Sequence, residues 1–154
     1  MAITSNLVNE YIRAAEPLAS SESEKLAVQF ADQLNRRIDE KTQRHQHIDD
    51  AELFLEMTPK PEPEAREVDS WRILILSEIH SVLCGRNRRY QHEVDVLRSS
   101  GKLLIGAIAG YIAGTVGVAE AIVAALVASL LRLVVAMGIS VFCKRFTAVA
   151  SSLK

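Results

Sequence analysis

In this 154-residue chain, the stretch Arg86-Asn87-Arg88-Arg89-Tyr90-Gln91-His92 comes closest to chemistry by residue type and spacing. A histidine can carry a proton near neutral pH, and an arginine six positions earlier can stabilise charge developing on a phosphate. The same arginines also suit the basic flank of a membrane segment. His45-Gln46-His47-Ile48-Asp49-Asp50 offers metal-ligating residue types. Residues two apart on a helix point to different faces, however, so a solvated helix end is expected there and no metal. Glu78 and His80 have the same spacing, and His80 is expected to be a surface or interhelical polar residue. Cys84 and Cys143 lie in different chemical surroundings and read as reduced, packing thiols of a reducing compartment. No GxSxG, phosphate-binding loop or GxGxxG fingerprint occurs. No catalysis and no cofactor are therefore expected.

The Arg86–His92 string resembles the R-x4-6-H motif of HEPN ribonucleases. In those proteins the Arg and His of two subunits meet at a dimer interface and act on the RNA 2′-hydroxyl and scissile phosphate. The resemblance implies a ribonuclease working through Arg86 and His92, and it covers those seven residues alone. The string holds one aromatic, Tyr90, and adjoins Glu93 and Asp95, so it lacks the sustained basic, stacking face of a nucleic-acid binder. No nucleic-acid partner is expected.

Charge and hydropathy divide the chain. Residues 1–100 hold 18 acids and 13 bases, net −5, whereas residues 101–154 hold one acid and five bases, net +4. From Leu103 to Cys143, only Glu120 and Arg132 are charged. One membrane-spanning helix needs about 20 apolar residues, so the block accommodates two if the chain reverses. Gly117 and Glu120 mark the reversal, with arms over 103–117 and 121–143. Arg86, Arg88, Arg89 and Lys102 precede the block, and Lys144 and Arg145 follow it. Basic flanks favour the cytoplasmic side, so a two-span hairpin with both termini cytoplasmic is expected.

Gly106, Gly110 and Gly114 recur every four residues and form one smooth stripe on a helix. Each interior glycine costs about 0.8–1 kcal/mol relative to alanine, which close packing against another helix offsets. Arg132, between Leu131 and Leu133, costs about 2.5–3.5 kcal/mol at the centre of a spanning helix. It must face a partner, a lumen shared by several copies, or water at the edge of a soluble helix. Glu120 lies twelve residues away, about 18 Å along one helix, too far to serve.

The remaining chain reads as the scaffold. Leu7, Val8, Tyr11, Ile12, Ala15 and Leu18 place an amphipathic helix over 5–18. Ser21 and Glu24 form a capping box that starts a second helix, with Ala27, Phe30, Ala31, Leu34 and Ile38 on its inner face. Asp49 or Asp50 could cap a short turn over 51–57. Pro59, Pro61 and Pro63 make 58–64 a linker. Val68, Trp71, Ile75, Ile79, Val82 and Leu83 predict a helix from 66 to 99, interrupted at Gly85. The resulting division is an amphipathic region 1–57, the linker, a basic amphipathic helix within 65–102, the apolar hairpin 103–143 and a basic tail 144–154.

An all-α fold follows. A helix apolar on every side must be deeply buried or in lipid, and three modest helices are expected to be too few to wrap two such arms. The expected function is a small oligomerising membrane protein whose N-terminal helices form a cytoplasmic docking domain, with a pore-forming or permeabilising role. The layout resembles colicin-type pore-forming toxin domains, in which polar helices surround a hydrophobic hairpin. The alternative is a non-catalytic assembly subunit whose hairpin packs on copies of itself or on partner proteins. The expected partners are thus a lipid bilayer, further copies of the chain, and a protein held by the N-terminal helices.

Overall fold

The computed structural model describes residues 3–43, 67–84 and 101–153, and among them it contains helices and short connections but no strand. The protein is all-α. Helix α1 spans Ser5–Ala15 and α2 spans Glu22–Gln43. Helix α3 covers Glu67–Cys84, α4 Gly101–Val116, α5 Glu120–Met137 and α6 Ile139–Leu153.

Local chemistry accounts for most of the boundaries. The Thr4 hydroxyl accepts from the Leu7 N–H at 3.2 Å and caps α1. Pro17 then tightens the chain into a 3-10 turn over Glu16–Leu18. That turn rotates Leu18 off the apolar face predicted for it, leaving it 51% exposed. The capping box of α2 is complete. The Glu24 N–H donates to Ser21 Oγ at 3.1 Å, and the Ser21 N–H donates to Glu24 Oε1 at 3.1 Å. Hydrogen bonds from Ser21, with a smaller share from Ser20, hold the Glu24 carboxyl below its ordinary pKa. Gly117, at φ +72°, ends α4, and its N–H donates to Ala113 O at 2.9 Å.

Helix α5 is the axis of the bundle. Residues Ile122–Leu131 are all buried, as are Leu133, Val134 and Met137. Helices α1, α2 and α4 pack directly along it, and α3 and α6 add smaller contacts. From α1 come Val8, Ile12 and Ala15; from α2 come Ala27, Ala31, Leu34 and Ile38, all buried. The opposite faces of α1 and α2 expose Glu10, Arg13, Lys25, Arg36 and Glu40 to solvent. Arg72 of α3 lies over the Phe30 ring of α2, with its guanidinium carbon 4.5 Å from the ring centroid.

Two expectations are corrected, and a third holds for one arm alone. The second apolar arm, predicted over 121–143, is two helices, because Gly138 at φ +103° stops α5 at Met137 and α6 begins at Ile139. Lys144 and Arg145 therefore lie inside an amphipathic helix rather than directly behind a span. The N-terminal helices cover one apolar arm and not both: α1 and α2, together with α4, pack along the 18-residue α5, whereas α4 keeps an exposed face. Finally, Cys84 and Cys143 are not separate thiols. The fold brings their Cα atoms to 5.6 Å across 59 positions of sequence, and they form a disulfide between α3 and α6. The linker 58–64 and the segment 51–57 lie outside the described residues.

Candidate functional site

The two apolar helices that look alike in sequence present different surfaces. On α4, Leu104, Ile105, Ile108, Ala109 and Ile112 turn inward and are buried. The other face carries Gly106, Gly110 and Gly114, all exposed, beside Leu103 at 49% and Tyr111 at 43% exposure. A Cβ added at Gly106 or Gly114 would meet no atom within 4 Å, and one at Gly110 would make only an ordinary 3.6 Å contact with Glu120 Oε1. Among the described residues, therefore, none requires a glycine at any of the three positions. Ala107 and Ala113 border the stripe and are partly buried. Lys102, at the start of α4, is exposed.

Arg132 points the other way, into the bundle. Its Nη2 donates to Asp39 Oδ1 at 2.7 Å, and its Nη1 donates to Asn35 O at 3.1 Å and to Asn35 Oδ1. The Arg132 side chain is 12% exposed and that of Asp39 34%. Around this pair, Ser5 Oγ donates to Asp39 Oδ2 at 2.6 Å, and Asn35 Nδ2 donates to Asn9 Oδ1 at 3.1 Å and to Ser5 Oγ at 3.3 Å. The charge that apolar neighbours make costly on α5 is thus matched by a polar network from α1 and α2. Its partners lie 93 and 97 positions away, beyond the reach of any local pattern. An acid on the inner edge of α2, one residue after buried Ile38, was the available signal.

Among the described residues, those with chemical potential do not gather into a catalytic group. Arg86, Arg88, Arg89 and His92 lie outside the described residues, as do His45, His47, Asp49 and Asp50. His80 lies between helices, its ring 5.2 Å from that of Phe146 and 6.1 Å from that of Phe142. Among the described residues, no three His, Cys, Asp or Glu side chains stand close enough to hold a metal. A groove of about 500 Å³ near the α4–α5 turn is lined in part by Glu24, Trp71, Leu74 and Val116. Among its described lining residues the acid is Glu24, which is engaged in capping α2.

The membrane signal rests on α5 alone. Among the described residues it is the one helix long and apolar enough to cross a bilayer, with a mean hydropathy of 2.1 over 18 residues, yet 72% of that window is buried in the bundle. Burial of this extent is what the core helix of a water-facing bundle requires. No known protein family, curated protein or solved structure matches the chain.

Proposed function

We propose that the protein is a non-catalytic helical assembly subunit that associates through the outward face of α4 with a helix of a second copy or of a partner protein. The carrying observation is the position of the glycines. Gly106, Gly110 and Gly114 weaken α4 by about 0.8–1 kcal/mol each relative to alanine. Among the described residues, no close contact at these positions offsets that cost. A helix lying along the stripe would offset it by close backbone approach, with Leu103 and Tyr111 as apolar edges. The glycine spacing then acts as a packing zipper, as its sequence pattern suggests.

Sedimentation and light scattering of wild type and Gly106→Leu/Gly114→Leu test this role. The wild type is expected to run as an oligomer or to co-purify in a defined complex, and the double variant as a single chain of unchanged helix content. The variants Gly106→Ala and Gly114→Ala are expected to raise the unfolding midpoint of the isolated chain. A wild type that stays single at all concentrations and holds no partner would end the proposal.

A second role is favoured by the hydropathy of α5. Release of the α4–α5 pair from its covering helices would supply two apolar segments to a bilayer, with both chain termini on the cytoplasmic side. The protein would then permeabilise membranes. Dye leakage from liposomes, compared between wild type and Arg132→Leu, tests it. The variant lacks the α5–α2 tie and should leak faster; absence of leakage from both would dispose of the role.

A further inference from the structure

We propose that the Cys84–Cys143 disulfide is a redox-operated staple that holds α6 onto α3 and, when reduced, lets α6 swing away while the α1–α2–α5 core stays folded. This goes beyond the assembly role and does not depend on it.

Four features carry the inference. Both cysteines are partly exposed, so a dithiol can reach the bond. Helix α6 joins α5 through Gly138, whose φ of +103° gives a pivot between the two helices. Its described anchoring is local: Phe142 and Phe146 are buried and stack at 5.5 Å, next to His80 of α3. The Arg132 network, by contrast, ties α5 to α1 and α2 through Asn35, Asp39, Ser5 and Asn9. The Cys84–Cys143 bond and the Arg132 network therefore act on different helix pairs. Opening the first uncovers Phe142, Phe146 and the end of α5 near Met137 without touching the second.

The chemistry balances with a dithiol reductant. A thiolate of the dithiol attacks one sulfur of the cystine, breaking the S–S bond and forming a mixed disulfide. Its second thiol then displaces the remaining cysteine. Two electrons and two protons pass to the protein, leaving two thiols, and the dithiol becomes a disulfide. Reoxidation by a disulfide oxidant reverses each step.

The test uses the full chain with and without dithiothreitol. Without reductant, no thiol should react with a maleimide; with it, two should. Trypsin can cut after Lys144 and Arg145, which directly follow Cys143. Cleavage there is expected to accelerate at least tenfold on reduction, while Arg36 and Arg37 in α2 remain resistant. The unfolding midpoint should fall by roughly 10 °C, as expected for opening a loop of this length. The variant Cys84→Ser/Cys143→Ser should behave as the reduced protein whether or not dithiothreitol is present. Reactive thiols before reduction would overturn the proposal, as would an unchanged cleavage rate. Equal acceleration in α2 would also overturn it, since that would mean global unfolding rather than release of α6.

Discussion

An arginine between two leucines in an apolar helix has to be matched, and at Arg132 the matching is done by Asp39 and by Asn35 twice over. Asp39→Ala strands the guanidinium in a nearly closed site. Breaking a fully buried pair costs about 3–5 kcal/mol, and the exposure of Asp39 lowers the expectation to about 2–3 kcal/mol. The double variant Asp39→Ala/Arg132→Leu should recover much of that loss, because no charge is then left unpaired. Urea unfolding of the two single variants and the double variant closes the cycle; additive losses would show that the pair is not coupled. The sequence shows that Arg132 needs a partner because the penalty is local. It does not show which partner, because Asp39 lies on another helix. Ser21 and Glu24 are the opposite case: both halves of their capping box lie within one turn, so residue spacing alone reveals it.

Among the elements, α4 and α5 show how far hydropathy reaches. Both are apolar on every side, and composition does not separate the helix with an exposed glycine face from the helix enclosed on nearly all sides. The end of α5 is marked in the sequence, yet the hydropathy pattern runs across it. A glycine after a long apolar run is a helix-stop signal, and the continued hydrophobicity of Ile139–Cys143 masks it. Gly138 sits at φ +103°, a conformation nearly closed to other residues, so Gly138→Ala should cost of order 1–3 kcal/mol. Gly106→Ala, on an unobstructed helical face, should change stability in the opposite direction. Thermal melts of the two variants side by side measure this contrast. Melts shifted alike would mean that the α5–α6 break is not set by glycine geometry.

At the scale of the whole molecule, enclosure of α5 makes its side chains shared core for the surrounding helices. Leu130 is fully buried, and Leu130→Ala should lower stability by about 2–5 kcal/mol in one cooperative transition. A loss below about 1 kcal/mol in urea would indicate that α5 is not the core of the water-soluble form. The all-α class, the amphipathic faces of α1 and α2, the capping box and the two apolar segments were determined by the sequence itself. Each rests on spacing within one or two helical turns, where propensity and side-chain reach act directly. That α1 and α2 pack along α5, that Arg132 meets Asp39, that Cys84 meets Cys143 and that the glycine stripe faces outward emerge from the packing of distant helices. Those outcomes depend on which helices become neighbours, and that choice is made by the summed burial of the whole bundle rather than by any one segment.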